Sequence, residues 1–100
     1  MLVTTDYVID ETLTTIRFRM GLDASEKWWH QIDRSSRLRL EAIDVSRAER
    51  ARCLFFRYGD KDFSFTDCTS FVLMKELRLR KALTLDHHFQ QMGFEMVPKV

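Results

Sequence analysis

Apolar positions along the chain fall into short blocks, some with the alternation of a strand and others with the three-to-four spacing of a helix. Leu2 to Thr5 is short, β-branched and apolar, which predicts a buried strand. Thr4 or Thr5 then caps a helix that runs to about Met20 and stops at Gly21. Ile9, Leu13, Ile16 and Met20 form its core stripe. Tyr7, Glu11 and Phe18 fall on the roughly opposite side, so Glu11 is expected between two aromatics.

Asp23 to Glu26 has capping-box spacing and opens a short helix carrying Trp28, Trp29 and Ile32. Leu38, Leu40 and Ala42 alternate with Arg37, Arg39 and Glu41, as in an edge strand with one wet face. Ser46 and Glu49 suggest another capping box, before a helix that buries Ala48, Ala51, Phe55 and Tyr58 and ends at Gly59. Ser64 and Asp67 repeat the spacing ahead of Cys68 to Leu79, which is apolar nearly all round and so predicts a buried helix. Ala82 to Leu85 reads as a strand ending at Asp86, and His87 to Met92 as one or two helical turns closed by Gly93. Phe94 to Val97 is a last strand stopped by Pro98. Strands alternating with helices argue for an α/β fold with a mostly parallel sheet.

Composition narrows the class. At 100 residues the chain fits a single domain, and 45% hydrophobic with only three Gly and one Pro argues against disorder. No apolar run approaches membrane-spanning length and no signal segment opens the chain. Cys53 and Cys68 lack any ligand spacing, which suits two thiols in a reducing, cytoplasmic setting. The net charge of +1 gives no strong basic excess. Arg37, Arg39, Arg47, Arg50, Arg52 and Arg57 nevertheless cluster mid-chain, with Arg78, Arg80 and Lys81 following. Singly, most of these read as solvated helix faces; together their planar forks suit phosphate.

Three acids carry the candidate chemistry: Glu11, Asp67 and Asp86. Each has a plain structural explanation. Asp67 completes a helix cap, Asp86 caps the next helix, and Glu11 pairs with an arginine. Asp86 also follows the C-terminal end of a strand, where open α/β sheets place their ligands. Carboxylates gathered in one place repel unless a cation neutralises them. Oxygen-only ligation suits Mg²⁺ or Mn²⁺ better than zinc. His87 and His88 are adjacent and point different ways on a helix, which argues against a paired zinc role. Trp28 and Trp29 suit a core or base stacking. A phosphate-receiving signalling domain would need paired acids after the first strand and a lysine after the last, and neither is evident.

Three segments, LVTTDYVIDETL at 2–13, FSFTDCTSFVLMKEL at 63–77 and ALTLDHHFQQMGFEMV at 82–97, together resemble the PIN domain family, closest to its small stand-alone VapC-type members. The resemblance implies a three-layer α/β/α fold over residues 1–100 with a mostly parallel sheet. It also implies Mg²⁺- or Mn²⁺-dependent endoribonuclease activity. By the family pattern, Glu11, Asp67 and Asp86 are the catalytic and metal-binding acids, Thr66 and Thr84 flank the site, and Asp62 is an additional acid. Arg37, Arg39 and Arg78 are the candidates for contact with RNA. An RNA substrate, a toxin role with a separately encoded antitoxin, and homodimers follow from the same resemblance. In the family a central strand ending in aspartate comes first; here the chain opens at what corresponds to the second strand. That N-terminal truncation leads to three alternatives. The start is wrongly assigned, the strand is supplied in trans, or the sheet closes by direct pairing of the flanking strands. It also raises the alternative of an impaired remnant serving as a binding or dimerisation module.

Overall fold

The structure, a computed structural model, describes residues 1–98. The elements follow the order β1 (Leu2–Thr5), α1 (Asp6–Met20), α2 (Leu22–Arg34), β2 (Leu38–Glu41), α3 (Val45–Arg57), α4 (Phe65–Glu76), β3 (Lys81–Leu83), α5 (His88–Gln91) and β4 (Glu95–Val97). β1 pairs with β2 and β3 with β4, both in parallel, so the α/β class and the parallel strands are as expected. Of the three alternatives for the missing strand, a sheet closed up by direct pairing of the flanking strands is not found. Among the described residues the strands form two separate two-stranded sheets. The chain divides correspondingly into two compact units, Met1–Ile43 and Asp44–Val100.

In the first unit, Thr5 caps α1 by accepting the Val8 N–H at 3.0 Å. Ile9 is buried on the inward face, and α1 packs along α2. Gly21 takes φ 97°, a left-handed value open to glycine, and both ends α1 and starts α2. The expected Asp23–Glu26 box is therefore absent: α2 is capped at Gly21, two residues earlier, without a side-chain cap. Asp6 Oδ1 accepts the Ile43 N–H at 2.9 Å, tying the start of α1 to the segment after β2. A groove of about 440 Å³ in this unit is walled by Ile9, Leu13 and Trp29 with Asp6, Asp10 and Glu26.

In the second unit, the cap of α3 is Asp44, which accepts the Arg47 N–H at 2.8 Å, instead of the expected Ser46. Ala48 and Ala51 are buried as expected, but Phe55 is exposed. α4 is buried from Cys68 through Met74, as its all-round apolar pattern predicts. Phe71 is its centre: fully buried, it meets Phe63 edge-on at 5.1 Å and Phe89 at 4.9 Å, and stacks on Phe94 at 5.9 Å. On the outer side Arg47 and Arg50 of α3 both bind the Glu76 carboxylate of α4.

Candidate functional site

The aromatic core of the second unit fixes two chain ends beside each other: the N-terminus of α4 and the turn between β3 and α5. At the first, Ser64 caps α4 by accepting the Asp67 N–H at 3.0 Å. In return Asp67 Oδ2 accepts the Ser64 N–H at 3.0 Å. This is the capping box read from the sequence. At the second, Thr84 Oγ1 accepts the Asp86 N–H at 3.0 Å, and Asp86 Oδ1 accepts the His88 N–H at 2.9 Å. These short turns aim the Asp86 carboxylate and the His88 ring without relying on the four-residue α5 alone.

The result is a three-residue cluster. His88 Nδ1 lies 3.1 Å from Asp67 Oδ2 and 3.2 Å from Asp86 Oδ1. One ligand atom from each of Asp67, Asp86 and His88 falls within 4.8 Å of the others. Exposure rises across the set, from 16% for the Asp67 side chain through 26% for His88 to 42% for Asp86. Asp67 and His88 are thus largely shielded while Asp86 opens to solvent. The His88 and Phe63 rings meet in a T-shaped arrangement, with centroids 5.3 Å apart. Cys68, next to Asp67, is a buried thiol whose pKa is raised, first by burial and then by the Asp67 charge.

The structure brings together two of the three predicted acids. Glu11 belongs to the other compact unit. It is exposed, and the expected shelter between aromatics is absent, because Phe18 is 83% exposed on the face of α1 turned away from Ile9. Of the accessory residues, Thr84 shapes the Asp86 turn, and Thr66 uses its carbonyl to accept the Thr69 hydroxyl at 2.6 Å. Asp62 is exposed in the segment before Phe63. Arg39 pairs with Glu41, two residues along β2 on the same face; Arg37 and Arg78 are exposed. Sequence reasoning missed His88, having weighed it only as half of a histidine pair. The usable signal was its place two residues after Asp86, where an Asx turn returns the ring toward the acid.

The family model of the PIN domain matches residues 1–95. This chain belongs to the PIN domain family. Within it, the chain is 29% identical over 94 residues to the 23S rRNA-specific endonuclease VapC20 of Mycobacterium tuberculosis strain CDC 1551 / Oshkosh. The match covers 94% of this chain and 71% of the relative, and strain H37Rv has the same match. The crystal structure of M. tuberculosis VapC20, described as a sarcin-ricin loop cleaving toxin, superposes with a TM-score of 0.84. It shares 29% identity and covers 92% of this chain and 70% of that one. The PIN fold is therefore shown by structure as well as by pattern. No described helix is long and apolar enough to cross a membrane. The donor set of this PIN chain, two carboxylates and an imidazole converging from separate elements, fits a divalent cation.

Proposed function

We propose that this chain is a VapC-type endoribonuclease that hydrolyses RNA phosphodiester bonds with a divalent cation, Mg²⁺ or Mn²⁺, at Asp67 and Asp86. The observation that carries this reading is the convergence of those two carboxylates, 19 positions apart in sequence, on one point in a PIN-family chain. A bound cation would supply activation of water and charge neutralisation at the phosphate. The protein's part is to keep both carboxylates oriented in advance. The Ser64 and His88 backbone N–H groups do this by binding one oxygen of each acid.

Glu11 enters as the third acid through the family pattern alone, and Asp62 and Thr66 as accessory residues on the same footing. Both compact units belong in this reading to a single PIN domain, because the family match runs through both. Arg37, Arg39 and Arg78 supply charge to the RNA backbone, a contact that positions more than it specifies. The VapC20 likeness supports a structured ribosomal RNA loop as substrate class and a cytoplasmic toxin role with an antitoxin partner, as dimer or monomer. Cys53 and Cys68, both free thiols, suit that compartment.

The test is cleavage of a labelled ribosomal stem-loop RNA with and without Mg²⁺ or Mn²⁺. Dication-dependent products without a 2′,3′-cyclic phosphate are expected, because water rather than the ribose 2′-hydroxyl attacks. Cleavage that persists in EDTA and leaves cyclic phosphate ends would contradict it.

A further inference from the structure

Asp67 and Asp86 account for the oxygen donors of the cluster, but the atom that faces both is a nitrogen. His88 Nδ1 stands 3.1 Å and 3.2 Å from the two carboxylate oxygens. A neutral imidazole carries one proton and offers one lone pair, so Nδ1 serves either as a donor shared between two acids or as a ligand beside them. Adjacent ligands in an octahedral shell, at about 2.1 Å from the ion, stand about 3 Å apart. The two separations match such edges, and the three ligand atoms all lie within 4.8 Å of one another. The ring is also held in place: it packs in a T-shaped contact on Phe63, and its own backbone N–H binds the Asp86 oxygen that Nδ1 faces. Both contacts restrict the ring before any ion arrives.

We propose that His88 Nδ1 is a direct ligand in this site, making it a mixed nitrogen and oxygen centre that prefers a divalent transition metal over Mg²⁺. The inference rests on the metal reading of Asp67 and Asp86 and adds to it the identity of a third donor. Imidazole binds borderline transition cations well, whereas Mg²⁺ favours oxygen and retains its waters. His88 therefore tightens Mn²⁺ far more than Mg²⁺.

The experiment is pulsed electron paramagnetic resonance of Mn²⁺ bound to the intact chain, paired with calorimetric titration of Mn²⁺ and Mg²⁺. The wild-type protein is expected to show ¹⁴N coupling to Mn²⁺. His88→Phe keeps a ring against Phe63 but has no nitrogen, and is expected to lose that coupling. Its Mn²⁺ affinity should drop about tenfold or more, with little change for Mg²⁺. His88→Ala should behave alike. Mn²⁺ binding without ¹⁴N coupling, or with coupling that persists in His88→Phe, would overturn the ligand assignment and leave the carboxylate site standing. No Mn²⁺ binding by the wild-type chain would overturn both.

Discussion

His88 Nδ1 and Asp67 Oδ2 stand 3.1 Å apart although 21 positions separate them in the chain. That contact ties the turn after β3 to the N-terminus of α4, and both ends are set by the aromatic core around Phe71. The same Asp67 oxygen also accepts the Ser64 N–H of the cap. Ser64→Ala should therefore lower stability by about 1 kcal/mol through loss of the cap. The backbone N–H that binds Asp67 Oδ2 remains in that variant, so RNA cleavage should change far less than on removal of the Asp67 charge. Urea midpoints and cleavage rates on the same preparation check both; a large loss of cleavage would show that the Ser64 hydroxyl, and not the backbone donor, orients the acid.

Glu76 titrates differently. Its pKa is lowered to about 2 from an ordinary 4.5, first by hydrogen bonds from Arg47 and then by those from Arg50. The ionised form is thus favoured in the folded state, and its contribution is complete above pH 4.5 and fades as the pH falls toward 2. The pair lies at the surface, so salt should weaken the effect. Glu76→Gln should flatten the part of the stability profile that lies in this acid window, measured by urea unfolding at successive pH values. An unaltered acid limb in the variant would show that the clamp contributes nothing.

Phe71 is fully buried with three aromatic neighbours. Phe71→Ala should cost about 3–5 kcal/mol. Because this cluster seats both Asp67 and His88, the loss should bring weaker metal binding with it even where the variant remains folded. Thermal unfolding and Mn²⁺ titration read the two effects separately.

Asp6 accepts the Ile43 N–H across 37 positions, the contact that closes the first unit. Asp6→Ala should destabilise by about 1–3 kcal/mol, as expected for a lost hydrogen bond to a charged acceptor. Amide exchange at Ile43 should speed accordingly, and unchanged protection would place the closure elsewhere.

Local signals were the legible part of the sequence. The Ser64–Asp67 box, the Gly21 stop and the apolar run of α4 each depend on neighbours within one or two helical turns; the first two appear as read, and the run is buried from Cys68 to Met74 but ends short of the expected Leu79. Misreadings came where two local signals compete. Asp44 outranked Ser46 as the cap of α3, and the glycine at position 21 displaced the Asp23 box. The α1 stripe failed at its end for another reason: Met20 is exposed, since a 15-residue helix outruns the surface that covers Ile9. Asp67 and Asp86 could be named because each sits at an element end that favours an acid. His88 could not, because its role depends on a partner 21 positions away that only the folded aromatic core brings near.

The most direct test of the account is RNA cleavage by Asp67→Asn, a change that removes one negative charge while keeping shape and most of the cap. In Mg²⁺ or Mn²⁺, with folding verified by circular dichroism, the rate should fall at least about a hundredfold, in line with loss of a metal-holding acid. A folded Asp67→Asn chain that cuts RNA at the wild-type rate would contradict the account.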